Sequence, residues 1–443
     1  MECLIVLLNI IFDRINNIKN HRYYYLSPHA YAVGNCAEDI YCGLIKARSQ
    51  SKKLVILYML DIPYIFKYKL TNKYLFTLKS DHIYKPNSYI LFFIRLLLTL
   101  VYIPLRTTAL FSKNILGVRM DESYNYPLIG RDKLYAPKSI GGAFDYRYAS
   151  LYNWKDKFNY EFDFIINNKT DDEVLNYLSE SRIVPKNAWF VCLHVRENGF
   201  RNDKGRREYR NSNIENYIPA IKEITSKGGY VIRMGDDSMT PIPNMKNVID
   251  YPFTKFKSDY MDLFLIKYCY FFIGCQSGIF DVAKLFGKPV LLLNMYNWTF
   301  GGPLHSNDSG ILKHIYSKKD NRYLSIKELF SGGWETQNMN GYIDDFIFIE
   351  NTKEEILDAV VSYIQNIDND TFFVSKIQNL SNSFRKKQAY SIFKNNRLAP
   401  KNVMNTNEEM VERYRFASQI EGASGFICKN YLEKNWERDS LNK

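Results

Sequence analysis

The chain is poor in residues that build covalent or metal frameworks. Its seven cysteines (3, 36, 42, 192, 269, 275 and 428) are scattered, odd in number and never spaced as CxxC. A disulfide scaffold or structural zinc is therefore not expected, and a reducing, cytoplasmic setting fits best. Cys192, Cys269 and Cys275 sit in apolar contexts and read as core packing. The six histidines never take HxxxH spacing, so no metal site is expected. There is no arginine-rich arm, no RNP-like aromatic pattern and no zinc-finger spacing, which argues against a nucleic-acid partner. Internal repeats and low-complexity tracts are also missing. Met1 to Phe12 is apolar but has neither a basic start nor a small-residue cleavage site, and Asp13-Arg14 follows. A helix packed on the first domain is expected there in place of a secretory signal.

What is present is ordinary globular material. The 443 residues are 46% hydrophobic and 24% charged, enough for two or three domains with packed cores. Formal charge is 59 − 47 = +12, which favours anionic partners such as nucleotide phosphates or anionic lipid surfaces. Lysine, asparagine, isoleucine and tyrosine are all abundant, as a coding bias would also produce, so the charge is discounted as evidence for nucleic acid.

The most hydrophobic window is 89–105. Arg95 near its middle and Pro104 near its end oppose a bilayer span, which needs about 20 apolar residues. Two readings stay open: a buried core helix, or a helix lying in a membrane interface, flanked or interrupted by Lys85, Arg95, Arg106 and Lys113. The second would make the protein peripheral on the inner face of the cell membrane.

Two βαβ patterns organise the chain. Arg22 to Ser27 reads as a strand and Pro28 to Asn35 as a loop ending at Gly34-Asn35. Ala37 to Arg48 then reads as a helix, and Leu54 to Leu60 as a strand. After a helix over Asp171 to Ser181, a domain junction is expected near Arg182 to Lys186. Strands follow at 189–195, 230–234, 248–250, 270–274 and 289–293, with helices at 214–227, 259–268 and 279–286, an order that implies a parallel sheet. Residues 298–338 read as a long loop region with short elements. Thr352 and Glu355 have capping-box spacing at the head of a helix reaching about 364. Beyond it, 365–400 reads as partly irregular, 407–416 as helical, and 425–436 as a last short helix.

Three strand ends carry the candidate chemistry. The first delivers His194, Arg196 and Glu197 before the turn pair Asn198-Gly199. The second delivers Arg233, Gly235 and Asp236. The third delivers Gln276, Ser277 and Gly278 ahead of a helix. In a parallel sheet all three lie on one edge, where ligands of open α/β sheets bind. Arginines there suit bidentate contacts with phosphate oxygens, and a Ser-Gly turn at a helix start offers backbone N–H groups to a diphosphate. The alternative for Arg196 and Arg233 alike is an ion pair with Glu197 or Asp236, and for Ser277 a plain helix cap. Asp236-Asp237 lacks the spaced partner of a metal-binding pair, so Asp236 reads as a loop or ribose contact.

His194-Val-Arg-Glu-Asn-Gly-Phe, Val231-Ile-Arg-Met-Gly-Asp, and Gln276-Ser-Gly followed by Gly287-Lys-Pro-Val together resemble a family of bacterial glycosyltransferases linked to surface-polysaccharide synthesis. The resemblance covers roughly residues 185–350, and the N-terminal portion matches only loosely. More distantly, His-Val-Arg is similar to the HxR motif of GT-B fucosyltransferases, and the third stretch to the donor half of heptosyltransferases. Gly199 is followed by Phe200, where the fucosyltransferase pattern has an acid, so fucose is not implied.

The resemblance implies an α/β, GT-B-like architecture of two facing Rossmann-like domains with parallel sheets. Residues 1–182 would bind the acceptor and 183–365 the nucleotide sugar, with 366–443 as a helical tail returning to the first domain. The expected activity is metal-independent transfer of a sugar, hexosyl or deoxyhexosyl, from a nucleoside diphosphate to a hydroxyl of a surface glycan or lipid-linked glycan. No cofactor beyond the sugar nucleotide is expected. His194, Arg196, Arg233, Gly235, Asp236, Gln276, Ser277 and Gly278 would hold the donor, with Arg196 as the diphosphate ligand. Gly34, Asn35 and Asp39 would face the acceptor, and the base is left among Glu197, Glu38, Asp39 and His29. The competing reading is a non-catalytic nucleotide-sugar or glycan-binding scaffold.

Overall fold

The computed structural model describes residues 11–12, 14–30, 32–60, 70–117, 163–166, 171–181, 183–198, 208–296, 305–331, 344–369, 374–394 and 425–437. The chain divides into two units: described residues up to Gly117, with 163–166, belong to the first, and those from Asp171 onward to the second. The helix over 171–180 thus belongs to the second unit.

The first unit is built on the expected βαβ element. Strand β1 (Tyr23–Leu26) pairs in parallel with β2 (Lys53–Ile56) across helix α1 (Val33–Ser49). Helix α1 starts earlier than the Gly34-Asn35 pair suggests. Val33, Cys36, Ala37, Ile40, Tyr41, Leu44 and Ile45 form one apolar stripe at helical spacing, and all but Val33 are buried. Burial of that stripe outweighs the local turn preference, so Gly34 and Asn35 lie in the first helical turn and not in a loop. Helix α2 (Ser88–Ile115) is longer than the 89–105 window and runs through Pro104. Its inner face packs on the β2 exit. Leu98 joins Val55 and Leu57 in one cluster, Thr99 Oγ1 accepts from Leu60 N at 2.9 Å, and Arg95 lies 4.1 Å from the centre of the Tyr58 ring. Among the described residues no helix is long and apolar enough to cross a membrane. Of the helix expected over Met1 to Phe12, residues 1–10 lie outside the described set.

The second unit holds a seven-stranded, wholly parallel sheet. After helix α3 (Asp171–Glu180) come β3 (Phe190–His194), α4 (Ile218–Ser226), β4 (Tyr230–Arg233), β5 (Val248–Asp250), α5 (Asp259–Tyr268), β6 (Phe272–Gly274), α6 (Phe280–Leu285) and β7 (Val290–Met295). Next are β8 (Ser309–Leu312), β9 (His314–Ser317), β10 (Arg322–Tyr323), α7 (Ile326–Ser331), β11 (Phe346–Ile349), α8 (Lys353–Asp368), α9 (Lys376–Lys394), β12 (Phe426–Ile427) and α10 (Lys429–Asn435). The large sheet runs β12-β8-β7-β6-β3-β4-β5, and β9 with β10 and β11 forms a small antiparallel sheet beside it. All six residues of β7 are buried. Because alternate side chains point to opposite faces, both faces of this strand are covered. Numbered from β3, six of the seven strands follow the order 3-2-1-4-5-6 of doubly wound nucleotide-binding folds, with the switch point between β3 and β6.

The stretch 298–338 supplies β8, β9, β10 and α7; Gly310 and the four-residue length of β8 mask its strand character in the sequence. The described part of the C-terminal segment belongs to the second unit. Phe426 and Ile427 extend the large sheet beside β8, and α9 and α10 pack on each other and on the second unit's helices. The helix expected over 407–416 lies outside the described residues. The capping box forms as its spacing foretells: Thr352 Oγ1 accepts from Glu355 N, and Glu355 Oε2 accepts from Thr352 N at 3.0 Å.

Candidate functional site

The carboxyl ends of β3 and β6 meet at the switch point with almost no space between their backbones. A Cβ on Gly274 would stand 2.6 Å from the His194 carbonyl oxygen, so only glycine lets the strands approach here. The chain leaving β6 is tied across to β3. Cys275 N donates to His194 O at 3.2 Å, and Arg196 N donates to Cys275 Sγ at 3.0 Å. Ser277 Oγ lies 3.0 Å from His194 Nδ1, joining two of the expected site residues directly. Burial, reinforced by the Arg196 charge, pulls the His194 pKa down to about 4, so its imidazole is neutral near pH 7.

Helix α6 begins at Phe280 and spans six residues, with no side-chain cap. Ser277 therefore does not cap it, and a helix this short lends little dipole to an anion. Gln276 is buried, its Oε1 accepts from Tyr296 N at 2.9 Å and its carbonyl accepts from Arg210 Nη2 at 2.8 Å. These bonds make Gln276 a brace between β6, β7 and the 208–212 loop. Gly278 is exposed beside it.

Arg196 and Arg233, equivalent in the sequence reading, part company. The Arg233 side chain is 0% exposed. Its guanidinium donates to Glu197 Oε1 at 2.5 Å, Asp250 Oδ1 at 3.0 Å and Thr240 O at 2.7 Å. The partner carboxylates also brace the loop after β4, taking Thr240 N on Glu197 Oε2 and Ile242 N on Asp250 Oδ2. Arg233 is a buried structural cation with Glu197 and Asp250 as its anions, which realises the ion-pair alternative through Glu197 and adds Asp250 as a second partner. Both oxygens of Glu197 are engaged in that brace, so it is not presented as a base. Gly235 packs under Met239, where a Cβ would fall 1.8 Å from the sulfur. Asp236 caps its own turn, accepting from Ser238 N at 2.9 Å.

Arg196 instead joins cations the sequence did not single out. One of its Nη groups donates to Asn211 Oδ1, and Asn211 donates in turn to Asn198. Lys313, the first residue beyond β8, is buried and donates from Nζ to Asn211 O at 2.5 Å. Burial lowers the Lys313 pKa, and the Arg196 charge contributes in the same direction while Glu350 opposes it. Arg210 lies with its guanidinium 5.2 Å from the centre of the Tyr296 ring. Arg210, Lys313 and Arg196 all act electrostatically on the Cys275 thiol, whose pKa burial nevertheless raises. Arg196 and Lys313 both bond to Asn211, and Arg210, the residue before it, bonds to the Gln276 carbonyl, so three cations gather at the switch of the sheet. Lys313 could have been found from Ile311-Leu312 ending in a cation; Arg210 has no periodic signal around it.

In the first unit the expected acceptor residues behave differently. Asp39 is fully buried on α1, and its Oδ2 accepts from His29 N at 2.7 Å, clasping the β1 exit to the helix. Gly34 is buried, Asn35 is exposed and Glu38 is half-buried on the same helix. Gly199 and Phe200, which close the first motif, lie outside the described residues. Among the described residues no group of three His, Cys, Asp or Glu side chains is arranged to hold a metal ion. No protein-family model matches the chain, and no match to it is found among curated proteins.

Proposed function

We propose that the protein is a glycosyltransferase of the GT-B kind, in which the second unit binds a nucleoside-diphosphate sugar and the first unit takes the acceptor. The observation that carries this reading is the set of cations Arg196, Arg210 and Lys313, held through Asn211 and the Gln276 carbonyl at the switch point of a 3-2-1-4-5-6 sheet. Nucleotides bind doubly wound sheets in that crevice, and the phosphates of a nucleoside diphosphate are the complementary charge for clustered cations. In the reaction an acceptor hydroxyl oxygen attacks the anomeric carbon while the bond from that carbon to the diphosphate oxygen breaks. The hydroxyl proton passes to a base, and the departing diphosphate keeps the bonding electron pair as added negative charge. Arg196 and Lys313 are held in advance by Asn211, so they stabilise that charge without reorganising. Neutral His194 adds no further cation and offers a ring nitrogen to the donor. Glu38 and His29 are the candidates for the acceptor side.

The test is thermal stability of the whole protein against UDP, GDP, ADP, dTDP and CMP and their sugars, followed by release of nucleotide. A ligand at 100 times its Kd stabilises the folded state by about 2.7 kcal/mol. One of the diphosphates is expected to stabilise the protein, with Arg196→Ala and Lys313→Met each removing the effect, and its sugar is expected to be slowly hydrolysed. Stabilisation with no turnover for any acceptor would identify a binding scaffold. Normal turnover by Arg196→Ala would overturn the site.

A further inference from the structure

Helix α2 carries an apolar face that points to solvent. Tyr89, Phe93, Leu97, Leu100, Phe111 and Ile115 follow each other at spacings of four, four, three, eleven and four, which keeps them on one side of the helix. Their exposures are 77%, 65%, 60%, 59%, 58% and 67%, whereas Leu98 and Tyr102 on the inner side are 3% and 1%. The helix is therefore apolar on both sides, with only the inner one covered. With aromatic side chains burying roughly 150–250 Å² each, the outer stripe exposes on the order of several hundred Å² of apolar surface in two stretches, 89–100 and 111–115, with Pro104 and Thr107 between them. Soluble monomers rarely leave that much in water without a use for it.

Charge decides what fits this face. From His82 to Met120 the sequence contains no acidic residue, but it contains Lys85, Arg95, Arg106, Lys113 and Arg119. Lys85 before the helix and Lys113 in its last turn are both exposed. Arg95 is turned inward, donating to Met59 O at 3.3 Å, so no described charge interrupts the outer stripe. A second copy of the chain docked here would set cations against cations with no acid in the stretch to pair them. An anionic lipid surface satisfies both features: the stripe enters the boundary between headgroups and acyl chains, and the lysines meet phosphate.

We propose that the outer face of α2 is a membrane-docking surface that lays the helix flat in an anionic bilayer interface. At 1.5 Å per residue the 28-residue helix offers about 42 Å of contact along the bilayer. Tyr89 sits near one end, as amphipathic rings do at headgroup level. The proposal stands on the first unit alone and does not depend on the chemistry of the second.

The test is flotation of the full chain with phosphatidylcholine vesicles, with or without about 30% phosphatidylglycerol, a composition chosen to supply the surface charge. Binding to the anionic vesicles, weakened by salt and nearly absent on neutral ones, is expected. Phe93→Glu with Leu97→Glu should reduce the bound fraction by about tenfold or more, because carboxylates on the inserted stripe must be desolvated. Both side chains are more than half exposed, so circular dichroism and melting temperature should stay as in the parent. Lys85→Ser with Lys113→Ser tests the electrostatic half and should weaken binding while leaving the stripe intact. Absence of vesicle binding by the parent chain overturns the proposal. So does a parent dimer, seen by light scattering, that the glutamate variant converts to monomer without any lipid effect; that outcome would assign the face to a second copy.

Discussion

Replacing Arg233 by methionine separates a structural cation from a ligand arm. The guanidinium is wholly buried, and the carboxylates it serves are only 17% and 18% exposed at Glu197 and Asp250. Methionine fills much of the volume but leaves both carboxylates without their cation. Breaking a buried pair by removing one partner costs about 3–5 kcal/mol. Here each anion keeps a backbone donor, Thr240 N or Ile242 N, and some contact with water. That partial compensation places the expected loss near the lower bound, about 3 kcal/mol. Domains somewhat smaller than this unit lose about 2–4 °C per kcal/mol and a larger one loses less, so the second unit should melt about 6 °C lower, near the small end of that scale. The loss should persist in high salt, because a buried pair is poorly screened. The assay is a calorimetric melt of the whole chain beside the parent, repeated in molar salt. A melting temperature unchanged within about 1 °C, combined with lost nucleotide binding, would refute the structural role and restore Arg233 as a phosphate ligand.

Two further outcomes follow from the same edge. His194 has a folded pKa of about 4, below its ordinary value of 6.5, so between those values the unfolded chain holds the extra proton. Its contribution to stability is therefore present above about pH 6.5 and is lost as pH falls toward 4. Urea midpoints measured across that range should fall less steeply with acid for His194→Gln than for the parent; identical slopes would contradict the burial of a neutral ring. Gly274→Ala places a methyl 2.6 Å from a backbone oxygen and must spread β3 from β6. An overpacking cost of about 1–3 kcal/mol is expected in the urea midpoint, and a neutral result would show that the strands can separate.

Much of the second unit is legible in the sequence because its elements are locally patterned. β5 and α5 occupy the expected residues, and β3 and β4 differ from expectation by one or two residues at their ends. A strand buried on both faces is a continuous apolar run that stops at a polar residue, and that stop marks the sheet edge. Elements without this contrast are obscured. β8 contains a serine and a glycine among its four residues, and with it goes Lys313. Gly34-Asn35 carries turn chemistry, yet the apolar stripe of α1 recruits both into a helix.

The sequence alone determined the period of each element, the chemical types gathered at the strand ends and the absence of acid along α2. It could not determine which charges neutralise each other. Arg196 and Arg233 read alike locally, but Arg233 meets Glu197 across 36 residues, whereas Lys313 reaches Asn211 across 102. Local pattern fixes where a side chain leaves the backbone. Its partner is set by strand order and register, which arise from burying the sheet as a whole, and only the folded chain made one arginine a strut and left the other in a cluster of cations.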